Sequence, residues 1–409
     1  MTGAHTAPAE LGRYQKRALI VGVVFMVLLV VGAVINRQQF FHSYLLGYLF
    51  WVGIALGSLA LLMLQHLTGG EWGLVIRRTL EAATRTLPLL ALLFIPIILG
   101  AKDIFPWTHH EEMSKTPALA QKARLYLNIP FFTGRAALYF AVWILAAYLL
   151  GKWSQEQDRT ADRRFSRRMR MISGPGLAVL VLTITFASVD WAMSLNPEWF
   201  STIYGLLFVA AWTLSGLAFA IAVMAYLVNR EPMSRVVRPN HFQDLGKLMM
   251  ALVMLWAYFA FSQFLIVWSG NLPEEIQWYL PRVRGGWGVI ALLVIIFHFA
   301  FPFMLLLSAS LKRNARKLVI LAGLILVMRL VDLFWMTAPE FTHGAFHISW
   351  MDVAAPAAIG GLWLAMFLWQ LSKRPLMPIN DSQYDALLAH SQAYAGHGVH
   401  EPSDHLQHE

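Results

Sequence analysis

The chain has 409 residues, 58% of them hydrophobic and only 13% charged, with a mean hydropathy of +0.55. So little charge cannot cover so much apolar surface in a water-soluble globule, so this is a polytopic membrane protein. The net charge of +9 does not point to nucleic acid, because the basic residues cluster between apolar runs. The absence of cysteine excludes disulfides, thiolate-held iron–sulfur clusters and covalently attached haem within this chain.

In chain order, residues 1–17 form a polar N-terminal segment, 18–372 a membrane domain and 373–409 a polar tail. A membrane span needs about 20 apolar residues. Ten runs qualify: Ala18–Ile35, Ser43–Leu64, Thr86–Gly100, Ile129–Leu150, Gly174–Met193, Thr202–Val228, Leu245–Trp268, Trp287–Leu311, Leu318–Met336 and Met351–Leu371. The first reads as an anchor rather than a cleaved leader, since no small-residue cleavage site follows it. The third is the shortest and carries Pro88 and Pro96. The fold class is therefore all-α integral membrane.

Lysine and arginine set the expected orientation. Clusters at Arg13–Arg17, Arg77–Arg85, Lys152–Arg170, Arg230–Arg238, Lys312–Lys317 and Lys373–Arg374 alternate with sparsely basic connections. The positive-inside rule then places both termini in the cytoplasm. Trp191, Trp199, Trp268, Trp335 and Trp350 fall at the opposite ends, as an aromatic belt would. Glu111–Leu125 reads as a segment lying on the membrane surface or against a partner, and Glu71–Arg85 is similarly amphipathic. Asp381–Leu388 reads as one short capped helix. His390, His397, His400, His405 and His408 lack any fixed ligand spacing, so no metal site is expected there.

The sharpest stretch is Ala187–Tyr204, a hairpin that closes one apolar run and opens the next, with Asp190 near its tip. Ionisable residues inside spans cost roughly 2.5–3.5 kcal/mol each on insertion scales, so each asks for a partner. Arg329 and Asp332 are spaced three apart on the ninth run, which puts them on one face. His298 sits near the middle of the eighth run, Gln263 towards the outer end of the seventh and Arg135 near the outer end of the fourth. Each has a purely structural account: Arg329–Asp332 as a neutralised pair, His298 as a hydrogen-bonded core histidine, Asp190 as a cap or a partner of Ser188 and Thr202. Their shared depth favours a buried polar group, and two sets follow. A proton path would use Asp190, His298, Arg329, Asp332, Ser188 and Thr185. A quinone pocket would use Asp190, Trp191, Gln263 and Arg135.

A membrane cytochrome b would need paired histidines at matching depths, whereas only His298 is deep and His42 and His66 lie near span ends. No phosphate-binding loop of the Gly-x-x-x-x-Gly-Lys-Ser/Thr kind occurs.

Four segments carry a resemblance. Ser188-Val-Asp-Trp-Ala-Met-Ser-Leu-Asn-Pro-Glu-Trp-Phe-Ser-Thr202 closely resembles the matching hairpin of the ActF family. These are NrfD-like membrane subunits of alternative complex III, the bacterial quinol:cytochrome c/high-potential-protein oxidoreductase. Tyr126-Leu-Asn-Ile-Pro-Phe-Phe-Thr-Gly-Arg135, Ser262-Gln-Phe-Leu-Ile-Val-Trp-Ser-Gly-Asn271 and Arg329-Leu-Val-Asp-Leu-Phe-Trp335 are similar to further segments of that family. The similarity spans roughly residues 18–372.

The resemblance implies an NrfD-like core of two four-helix bundles plus two peripheral helices in the bacterial inner membrane. Its implied partners are an NrfD-like paralogue, an iron–sulfur subunit, multihaem and monohaem cytochrome c subunits, small membrane subunits and lipids. Haem c and iron–sulfur clusters would belong to those partners, and this chain would hold no cofactor of its own beyond a quinone or quinol. The catalytic paralogue carries a glutamate near the position of Gln263, and a glutamine cannot take the protons that quinol oxidation releases. The expected role is thus a scaffold with a proton path. Direct quinol oxidation and secondary transport remain alternatives.

Overall fold

The computed structural model describes residues 10–342, 344–378, 380–381, 383–384 and 387–389. Residues 1–9 and the histidine-scattered end of the tail lie outside them, and so does part of the stretch read as the helix Asp381–Leu388. Among the described residues the chain is helical, and ten helices are long and apolar enough to cross a membrane. They are α1 (Glu10–Ile35), α2 (Arg37–Thr68), α3 (Arg77–Leu99), α4 (Ile129–Thr160), α5 (Arg163–Trp191), α6 (Ile203–Leu227), α7 (Pro239–Gly270), α8 (Gly285–Leu307), α9 (Ala315–Phe341) and α10 (Met351–Ser372).

Local chemistry sets several ends. Asn36, Asn128, Asp162 and Asn314 precede α2, α4, α5 and α9, and each side chain accepts a backbone N–H of the first turn. Pro88 and Pro96 break α3 into three pieces, as the sequence foreshadows. Backbone carbonyls in the broken stretch need donors in an apolar setting. Tyr44 and Tyr48 of α2 supply them, donating to the carbonyls of Leu93 and Leu90 at 2.8 and 3.0 Å.

α2 is apolar on every side and buried on nearly every side, which makes it the central post. It packs on α3 and α5, while α4 packs on α5, so α2–α5 form one group. The helices α6–α9 form a second group, α1 pairs with α10, and α10 also packs closely on α2. The two groups join where α2 crosses α6. There a methyl added to Gly57 would lie 1.7 Å from the Trp212 carbonyl oxygen, and one added to Gly216 would lie 2.6 Å from the Gly57 backbone. Small residues permit this approach, the usual route to close helix packing in lipid. By contrast α1, α5, α7 and α8 turn leucine, valine, isoleucine and phenylalanine outward, as a lipid-facing surface requires.

Two expectations are corrected. The tryptophans do not form one outward belt: Trp191 and Trp199 are buried, whereas Trp268 and Trp350 are exposed. Nor does Glu71–Arg85 lie on the surface. Every residue of Arg77–Thr84 is buried, because the charges find partners inside the protein. The connection before α4 instead folds over the hairpin, with Lys122 donating to the Pro197 carbonyl at 2.8 Å.

Candidate functional site

The sequence-predicted residues separate into two constellations, one in each helix group. In the first, Asn128 and Pro130 start α4 so that Arg135 comes one and a half turns later, facing the last turn of α5. Arg135 grips Asp190 through two parallel hydrogen bonds, Nε to Oδ2 at 2.9 Å and Nη2 to Oδ1 at 2.7 Å. The Tyr139 hydroxyl adds a third at 2.8 Å. Arg135 also donates to the Tyr126 carbonyl at 3.0 Å, with its guanidinium 3.7 Å from the Tyr126 ring centroid. A carboxylate near a helix C-terminus is disfavoured by the helix dipole, and the arginine offsets this. Asp190 therefore clamps α4 to α5; it neither caps the next helix nor bonds Ser188 or Thr202.

The neighbouring hydroxyls are turned into their own helix. Ser188 donates to the Thr185 carbonyl and Thr185 to that of Val181, at 2.7 and 2.8 Å. Trp191 is fully buried in an aromatic cluster with Phe94, Phe140 and Trp143, ring centroids 4.8 to 5.9 Å away. Its indole N–H has no hydrogen-bond partner.

The second constellation surrounds an apolar cavity of about 590 Å³ among α6–α9. Leu207, Ala257, Phe261, Phe264, Val294 and Phe299 supply apolar wall, and Gln263, Tyr279, Trp256, Trp335 and Asp332 supply the polar groups. Gln263 is fixed from both sides: it accepts from the Ser201 hydroxyl at 3.2 Å and its amide faces the Tyr279 oxygen at 3.3 Å. Burial pushes the Tyr279 phenol up to about 12, so it stays protonated at neutral pH. Asp332 pairs with Arg329 within α9, as the spacing of three foretells.

His298 lies on a π-helical turn of α8, Ile295–Ala300, edge-on to Trp256 with ring centroids 4.4 Å apart. Such turns widen a helix locally and are frequent at functional sites. Both ring nitrogens of His298 and the Nε and Nη2 of Arg329 are buried without hydrogen-bond partners. Unsatisfied buried donors and acceptors are costly, and several at one place make a setting for bound water or a polar ligand group. Neither Asp190 nor Arg135 nor Trp191 lines this cavity, so of the quinone-pocket set only Gln263 does. Of the proton-path set, Asp332 lines it while Arg329 pairs with Asp332 and His298 abuts Trp256. Among the described residues no cluster of His, Asp or Glu could hold a metal ion.

Two buried ionic networks escaped the sequence reading, which took their arginines as loop charges. Arg282 ties the connection before α8 to the end of α9: it donates to the carbonyls of Trp278 and Met336 at 2.6 and 2.7 Å and to Glu340 at 2.9 Å, stacked on the Trp278 ring. At the basic end, Glu81 receives Arg77, Arg78 and Ser154 at 3.1, 2.7 and 2.6 Å. The available signal was the spacing of Arg77 and Arg78, four and three residues before Glu81, which fits helical ion pairs. No family model matches the chain, and no curated protein matches it either.

Proposed function

We propose that this chain is a membrane subunit of a respiratory quinol:acceptor oxidoreductase of the alternative complex III type, with both termini in the cytoplasm. It scaffolds the assembly and handles protons through Asp332, Arg329 and His298, and it brings no redox centre of its own. Electrons would pass through the iron–sulfur and cytochrome c partners, since this chain has no cysteine to hold a cluster or a covalent haem. The single observation that carries the proton role is the set of unpartnered nitrogens on His298 and Arg329 close to Asp332. They would be satisfied by water, and water beside a carboxylate and an imidazole is what a proton relay needs. The ten helices long enough to span a membrane and the four segments that carry the resemblance support this reading. In the assembled complex, substitutions at His298 and Asp332 should lower the protons moved per electron without abolishing electron transfer. Unchanged proton stoichiometry in both would overturn this role.

A second reading rests on the cavity. It is large enough and apolar enough for part of an isoprenoid quinone, and Gln263 and Tyr279 could hold a ring oxygen. Because Gln263 cannot accept a proton, this reading is of quinone binding more than of quinol oxidation. A photoreactive quinone should then label residues of α7 or α8; labelling confined to another subunit would reject it.

A further inference from the structure

At the basic end of the second group, an open cleft of about 510 Å³ lies where the end of α6 meets the starts of α7 and α9. Arg238, Arg313 and Arg316 line it, with Asn229 and Asn314 between them, and Phe242 gives it apolar wall. No carboxylate is among the lining residues. Arg313 hydrogen-bonds Gln243 at 2.8 Å, and neither Arg313 nor Arg316 makes an ion pair among the described residues. Both are exposed, so their charges face the cleft and solvent, whereas the buried arginines Arg77, Arg78, Arg135, Arg282 and Arg329 are each neutralised by a carboxylate. Two long helices, α7 from Pro239 and α9 from Ala315, begin at the cleft, and the positive ends of their dipoles add to the three guanidinium charges. The cleft sits at span ends, hence at headgroup depth, and Ala225, Val228 and Val319 of the adjoining helices add to its apolar lining.

We infer that this cleft binds the phosphodiester headgroup of an anionic phospholipid, with the acyl chains leaving along α7 and α9. Basic pockets between spans are suited to such headgroups, and arginine forks match phosphate oxygens. The inference rests on the membrane reading of the chain and is independent of its place in quinol oxidation. A soluble anion would need no apolar wall, whereas a lipid does.

The test uses the delipidated full-length chain, or the complex containing it, in neutral detergent, titrated with phosphatidylglycerol, phosphatidylcholine and inorganic phosphate. Phosphatidylglycerol should bind saturably and raise the unfolding temperature, while phosphatidylcholine should not. Arg313→Gln with Arg316→Gln should weaken that binding on the order of tenfold or more. Arg163→Gln with Arg164→Gln, in a different basic connection, should leave it unchanged. Equal losses in both pairs would mean diffuse surface charge and overturn the proposal. So would an equal response to inorganic phosphate, which would mark a free-anion site, or a partner polypeptide cross-linking into the cleft and excluding the lipid. A double variant that retains the wild-type unfolding temperature without lipid shows that any loss of binding is local.

Discussion

Arg135 and Asp190 meet as two parallel hydrogen bonds between the second turn of one helix and the last turn of another, 55 residues apart in the chain. Asp190 is fully buried, and a third bond from Tyr139 completes its coordination. Removing one partner of such a pair leaves an uncompensated buried charge, at a cost of about 3–5 kcal/mol. Arg135→Leu should therefore destabilise the chain strongly, while Arg135→Leu with Asp190→Leu should lose clearly less than the sum of the single changes. Thermal unfolding of the four proteins measures that coupling. A clamp also predicts that Asp190→Asn, where it assembles, leaves turnover per complex near wild type.

The α2–α6 seam admits no side chain at two positions. At Gly57 a methyl would meet the Trp212 carbonyl at 1.7 Å, and backbone atoms cannot move aside as a flexible side chain can. Gly57→Val and Gly216→Val should each abolish recovery of folded full-length protein from membranes. Gly134→Ala, where nothing lies within 4 Å of the added methyl, should be recovered normally. The comparison separates close packing from the general cost of losing a glycine.

The tail is part of the fold at its near end. Asp381 accepts from Arg77 at 2.7 Å and Asn380 donates to the Asp158 carbonyl at 2.7 Å, so the tail latches onto the network around Glu81. Asp381→Ala removes a charge-assisted bond and should cost about 2 kcal/mol, read as a lowered unfolding temperature. Lys373→Ala, which stands on the Trp369 ring and touches no carboxylate, should cost well under half as much.

Most of the architecture was legible because it follows from one-dimensional patterns. Ten apolar runs, the prolines of the third and the i,i+3 spacing of Arg329 and Asp332 all act within single helices. What the sequence hid was pairing across helices. Asp190 looked like the outer member of a path through Arg329 and Asp332, since depth was known and azimuth was not. The fold gives it Arg135, and leaves Gln263 on the wall of a cavity that no single run reveals. Arg282 was indistinguishable in the sequence from a topological loop charge, because only burial tells it apart, and Arg77 and Arg78 stood out only by their spacing to Glu81.

Tyr279, on the connection before α8, gives a pH signature. Its folded-state value near 12 lies above the ordinary 10.0, with burial as the main cause and the Gln263 hydrogen bond opposing it. A group raised in this way supports the fold fully below its unfolded value, and that support fades as pH climbs from 10 to 12. The interval is worth about 2–3 kcal/mol at 1.36 kcal/mol per unit. Tyr279→Phe should remove this part of the alkaline loss, so the stability gap between wild type and variant should narrow, or reverse, between pH 10 and 12. A gap independent of pH would show that the phenol ionises freely.

The decisive case is Arg329–Asp332, because a structural pair and a proton-handling pair predict the same damage from a single substitution. Asp332→Asn strands the buried Arg329 charge, so lost activity would report misfolding as readily as lost chemistry. Replacing both by apolar residues of similar volume, Arg329→Met with Asp332→Leu, removes the stranded charge, and such exchanges of buried pairs are often neutral or stabilising. If the pair is only mortar, the double variant should assemble and keep wild-type turnover and proton stoichiometry. If it handles protons, the double variant should assemble equally well but lose most of the proton movement. His298→Phe should then reproduce that loss, since it removes the unpartnered ring nitrogens while keeping an aromatic ring against Trp256. Proton release and electron transfer measured together in the assembled complex distinguish the two outcomes.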